Sequence, residues 1–121
     1  MITKPLDQVT AADIAELCAQ GGAYEGLTLE FKRELPGRDG RADPWFAGGD
    51  FTPYARDHLF REIVAFANAQ GGMLALGIAE TNDRPARAAT VMPIPRVHDL
   101  AARLEDAARA CIEPPLGSLH V

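Results

Sequence analysis

At 121 residues, with 47% of positions hydrophobic, the chain can bury one modest core, which predicts a single domain over residues 1–121. A net charge of −5 excludes a protein that coats nucleic acid by bulk positive charge, so any contact with a polyanion has to be local. Two cysteines without CxxC spacing, and no apolar run in Met1–Pro5, predict a reduced, cytoplasmic protein without a secretion signal.

Thr10 followed by Asp13 reads as an N-cap with an acid at the third helical position. Ile14, Leu17 and Cys18 then fall at helical spacing, predicting a helix over about residues 10–20 that Gly21-Gly22 stops. From Leu27 the period changes, and Leu27, Leu29 and Phe31 alternate with Thr28, Glu30 and Lys32, the pattern of a half-buried strand with one wet face. Leu35-Pro36-Gly37 ends it. Residues 36–54 then form a long loop rich in Gly, Pro, Asp and Arg that nonetheless carries Trp45, Phe46, Phe51 and Tyr54.

The spacing predicts a second helix over Tyr54–Gln70, with Leu59, Ile63, Phe66 and Ala67 along its apolar face. Gly71-Gly72 permits the left-handed turn that reverses the chain after it. Met73–Ile78, apolar on both faces, predicts a central strand; Glu80–Arg84 a polar turn; and Ala88–Ile94 a short strand. Residues 63–79 lack charge, but Asn68, Gln70, Gly71 and Gly72 interrupt them, so helix, turn and strand fit better than a membrane span. Val97, Leu100, Ala101, Leu104, Ala108 and Cys111 predict a third helix, with Asp99 and Arg109 placed as its dipole prefers. Pro114-Pro115 ends it, and residues 116–121 read as a strand beginning as the chain stops, at an edge or cut short from a larger multidomain protein. The fold class is α+β, a small mixed sheet flanked by about three helices.

Glu30 and Lys32 lie two apart on the first strand and so share a face. Glu25 is at an odd offset from Glu30 and joins that face only if a bulge or turn at Gly26 re-aims it. Glu80 follows the central strand and approaches Glu30 if the two strands pair. Three carboxylates and a lysine suit a hard divalent ion, magnesium or manganese, beside a phosphate; the alternative is a solvated strand face with an ordinary ion pair. Arg33, Arg38, Arg41 and Arg84, with Arg87 and Arg96, are candidate phosphate contacts or solubilising charge. Trp45 and the other loop aromatics either stack on bases of a single strand or fold the loop onto the domain. The isolated histidines predict no zinc site, and the glycines at 71 and 72 follow a helix instead of opening one, unlike either phosphate-binding glycine motif.

Taken together, Glu25, the Leu29–Lys32 strand, Ala65-Phe66-Ala67-Asn68, Gly71-Gly72 and Leu76-Gly77-Ile78 resemble the Schlafen Alba-like domain, over about residues 22–115. The resemblance implies an Alba/Schlafen-core-like α+β fold, found in bacterial regulators among others, and binding of nucleic acid, RNA or single-stranded DNA. In animal Schlafen proteins the same domain cleaves RNA with divalent metal, which would place catalytic roles on Glu25, Glu30, Lys32 and Glu80 and metal binding on the three glutamates. Glu80 departs from the Asp-Asp pair of the animal members, and the loop over 36–54 is longer than the usual pattern. The expectation is therefore a nucleic-acid-binding domain with Lys32, Arg33, Arg38, Arg41, Trp45 and Arg84 as contacts. The alternatives are a metal-dependent endoribonuclease, or a nucleotide-binding or partner-binding regulatory domain; a homo-oligomer is compatible with each.

Overall fold

The computed structural model describes residues 6–19, 24–26, 28–112, 119 and 121. Among the described residues, three α-helices and four short strands give the α+β class expected: α1 (Ala11–Leu17), β1 (Leu29–Lys32), α2 (Pro53–Ala67), β2 (Met73–Leu76), β3 (Ile78–Glu80), β4 (Ala88–Val91) and α3 (Val97–Cys111). The expected stop at Gly21-Gly22, the break at Pro114-Pro115 and nearly all of the terminal strand lie outside the described residues. The chain forms two compact units, residues 1–34 with 73–93 and residues 35–72 with 94–121.

In the first unit, α1 begins with a reciprocal cap. The Thr10 hydroxyl accepts from the Asp13 N–H at 3.3 Å while the Asp13 carboxylate accepts from the Thr10 N–H at 2.9 Å, so two N–H groups that the helix cannot satisfy internally are bonded. β1 and β2 run parallel, with Glu30 opposite Leu74 and Lys32 opposite Leu76. β3 and β4 run antiparallel, with Ile78 opposite Val91. The apolar run expected as one strand is thus two, divided at Gly77. Its φ of 88° lies in the left-handed region that a Cβ disfavours. Both polar groups of Gly77 are used at the break: its N–H donates to Lys32 O at 2.7 Å and its carbonyl accepts from the Met92 N–H at 2.6 Å. Leu17, Leu29, Phe31, Ile78 and Ala88 form the buried cluster, with Ile14, Cys18, Met73 and Ala75 packed against it. Leu29 and Phe31 supply the buried face of β1 and leave Glu30 and Lys32 on the wetter one, as the alternation predicts.

In the second unit the segment over 36–54 is folded. Two tight helical turns, Arg38–Gly40 and Pro44–Ala47, replace the structureless loop. Asp43, 2% exposed, organises them: its carboxylate accepts from the Trp45 N–H at 2.9 Å and from the Thr52 hydroxyl at 3.5 Å, and Thr52 in turn caps α2 through the Ala55 N–H at 3.1 Å. Trp45 is fully buried and donates its indole N–H to Pro95 O at 2.8 Å. Arg96 donates to Trp45 O at 2.7 Å and to Gly49 O at 2.9 Å, with its guanidinium 3.8 Å from the indole ring centre. The buried stripe of α2 is Ala55, Leu59 and Phe60, rotated from the one expected, since Ile63 and Phe66 are half-buried and Ala67 is exposed. The α2 helix gives way at Asn68 to a turn in which Gly71 has φ 80°. Gly72 packs so close to Phe66 that a Cβ there would lie 2.7 Å from the ring. α3 buries Leu100, Leu104 and Ala108, while Val97 and Cys111 are exposed instead of lying on its apolar face.

Candidate functional site

The polar face of β1 lies wholly within the first unit. Lys32 Nζ stands 3.6 Å from Glu30 Oε1, with both side chains roughly a quarter to a third exposed. Glu25 reaches this strand from outside it. The chain turns tightly before β1, with Gly26 N–H donating to Leu29 O at 3.0 Å, and the Glu25 carboxylate then accepts from the Phe31 N–H at 3.1 Å. The turn that the odd offset demanded is present, but Gly26 is not in the left-handed region and a Cβ there would meet nothing within 4 Å. The re-aiming comes from the hydrogen bonds across the turn and not from glycine's extra freedom.

Glu80, at the exposed end of β3, meets the same group. Its pKa is pushed up to about 7, first by a hydrogen bond with the Glu25 carboxyl, then by burial and the charges of Glu25 and Glu30, with the Lys32 charge opposing them. A carboxyl beside another carboxyl ionises less readily, so Glu80 holds its proton closer to neutrality than an ordinary carboxyl does. The four residues singled out in the sequence are therefore neighbours, with the Glu30–Lys32 ion pair beside the Glu25 and Glu80 carboxyls.

Among the described residues, no group of three or more His, Cys, Asp or Glu side chains is arranged to hold a metal ion. The arrangement present therefore does not fit a bound divalent ion held by the three glutamates.

The other candidates divide between the two units. In the first, Arg33 and Arg84 are exposed. Arg87 is bound to Asp83 at 2.6 and 3.2 Å, which holds the Asp83 carboxyl below its usual range. In the second, Arg41 is exposed, and Arg38, also exposed, has its guanidinium 5.1 Å from the Tyr54 ring centre. Trp45 is corrected: with no exposed surface and its N–H bonded to the backbone, it fastens the loop and offers no face to a base. Arg96 is bound to the same loop. Sequence reasoning passed over Tyr24, which is 58% exposed and bridged to Arg87. Only its place beside Glu25 hinted at it, because its partner is distant in the chain.

No helix among the described residues is long and apolar enough to cross a membrane. No curated protein and no solved structure matches the sequence. A family model described as Schlafen, AlbA_2 matches residues 25–119, a span that includes Glu25, β1, the glycine turn and Glu80. The chain belongs to the Schlafen AlbA_2 family, whose domains are generally associated with nucleic-acid binding.

Proposed function

We propose that this chain binds single-stranded nucleic acid, RNA or single-stranded DNA, through the polar face of β1, with Lys32 as its central phosphate contact and Arg33 beside it. The observation that supports this most is the Glu25–Glu80 pair. With its pKa raised to about 7, Glu80 carries less negative charge near neutrality than an ordinary carboxylate would, so a phosphate approaching Lys32 meets less repulsion. Arg84, exposed in the same unit, supplies a further cation to a strand that extends beyond the site. The acidic chain as a whole then keeps non-specific binding weak.

Binding of an oligonucleotide measured across a salt series tests this. Each phosphate contact to a single strand contributes about 0.7 to the slope of log K against log salt. Lys32→Ala should therefore lower both the affinity and the slope, by about 0.7 in the latter. Binding that does not respond to salt would remove phosphates from the contact and end the proposal.

A second reading, cleavage of RNA, is favoured by the neighbourhood of Glu25, Glu30, Glu80 and Lys32. Incubating labelled RNA with manganese, and comparing the unaltered protein with Glu30→Ala, decides it. Equal product from both sinks the nuclease.

A further inference from the structure

Tyr24 carries a large aromatic side chain on the surface, 58% exposed, immediately before Glu25. Its ring has a cationic neighbour, the Arg87 guanidinium 5.9 Å from the ring centre. The backbone beneath is fixed. Tyr24 and Arg87 form an antiparallel bridge, and Glu25 N–H donates to Ala86 O at 2.8 Å. Arg87 N–H donates to the Thr81 hydroxyl at 3.1 Å, and Thr81 N–H to Arg87 O at 2.9 Å. Asp83 then anchors the guanidinium itself. The result is an aromatic ring and a planar cation held on bonded backbone at the border of the polar site.

We infer that Tyr24 and Arg87 form a stacking platform for one unpaired nucleobase of the strand whose phosphates lie along β1. The inference rests on the nucleic-acid reading above and deepens it by naming what the site takes beyond phosphate. A base offers a flat π-face of any sequence, which an exposed tyrosine ring and a guanidinium plane both match. Asp83 offsets the charge of Arg87, so the platform contributes stacking more than phosphate attraction. A base within a duplex is already stacked on both sides and gains nothing there. The platform therefore selects single strands, with RNA and DNA both admissible.

Fluorescence anisotropy on the full chain separates this from the phosphate contacts. The probes are labelled oligouridine RNA, oligothymidine DNA of equal length and a duplex, each measured over a salt series. Tyr24→Ala should weaken single-strand binding roughly 5- to 150-fold, the range of about 1–3 kcal/mol for one stacked base, and leave the salt slope and any duplex binding unchanged. Tyr24→Phe, which keeps the ring and loses only the hydroxyl, should bind within about twofold of the unaltered chain if stacking is the interaction. As a readout that needs no substitution, photocrosslinking with a bromouridine-substituted strand should yield an adduct on the peptide that carries Tyr24. Tyr24→Ala binding as tightly as the unaltered protein, a loss shared equally by Tyr24→Phe, or adducts confined to other peptides overturns the platform and leaves the phosphate reading standing. Absence of any single-strand binding by the unaltered protein overturns both.

Discussion

Replacing Arg96 should destabilise the second unit by an amount that its contacts determine. Its guanidinium donates to Trp45 O at 2.7 Å and Gly49 O at 2.9 Å and lies 3.8 Å from the indole centre. A hydrogen bond to a charged group contributes about 1.5–3 kcal/mol, and a partly desolvated cation–π contact about 1–2 kcal/mol. Water replaces the Gly49 contact in part and the terms overlap, so the loss in Arg96→Ala is about 3 kcal/mol. Arg96 also has φ 52°, where a side chain other than glycine costs about 1 kcal/mol. Arg96→Gly removes the same contacts but relieves that strain, so its loss should be about 2 kcal/mol. The assay is urea unfolding followed by the emission of Trp45, the chain's single tryptophan, which is buried in the folded protein. An Arg96→Ala midpoint equal to that of the unaltered chain would show that the loop holds itself, and Arg96→Gly at least as unstable as Arg96→Ala would refute the backbone part of the reasoning.

Other consequences follow from the site and the turns. Because the folded pKa of Glu80 is raised, its carboxyl binds more protons folded than unfolded; the contribution to stability is full below about 4.5 and lost as pH rises through about 7. Binding of a single strand should weaken over the same rise as Glu80 ionises, and Glu80→Gln should flatten that dependence in anisotropy titrations at fixed salt. A profile unchanged by Glu80→Gln would assign the titration to another group. Gly72→Ala forces a Cβ to 2.7 Å from the Phe66 ring and should cost about 1–3 kcal/mol in chemical unfolding. Gly26→Ala meets open space at ordinary φ and should unfold within about 0.5 kcal/mol of the unaltered chain, so a large loss there would contradict the turn described.

Local patterns were legible where their causes are local. Thr10 and Asp13 announced the start of α1 because a capping box is written in adjacent residues, and the alternation through Glu30 and Lys32 announced the wet face of β1 because side-chain direction in a strand has period two. The neighbourhood of Glu25, Glu30, Lys32 and Glu80 was legible through the family resemblance, since spacing alone also fitted a solvated face. What was illegible depended on partners far along the chain. Met73–Ile78 read as one strand because an apolar run does not disclose that β1 pairs with its first part and β4 with its second. Trp45 read as a possible base contact because Pro95 and Arg96, which bury and fasten it, lie half the chain away. Asp43 carried no signal at all, since a carboxylate that organises a buried turn looks in sequence like any surface acid.

The division at Gly77 makes this stretch a matter of counting. From Met73 the chain follows one neighbour for four residues, passes through a single glycine and follows another for three. Lys32 O on one side and the Met92 N–H on the other grip the joint. Side chains could change along this run while it keeps its course, but one residue added between Gly77 and Glu80 would rotate Ile78 out of the interior or swing Glu80 to the opposite side of its strand. Relatives built on the same plan should therefore vary in spelling here and hold their length, while the turn between β3 and β4 is where insertions would be absorbed.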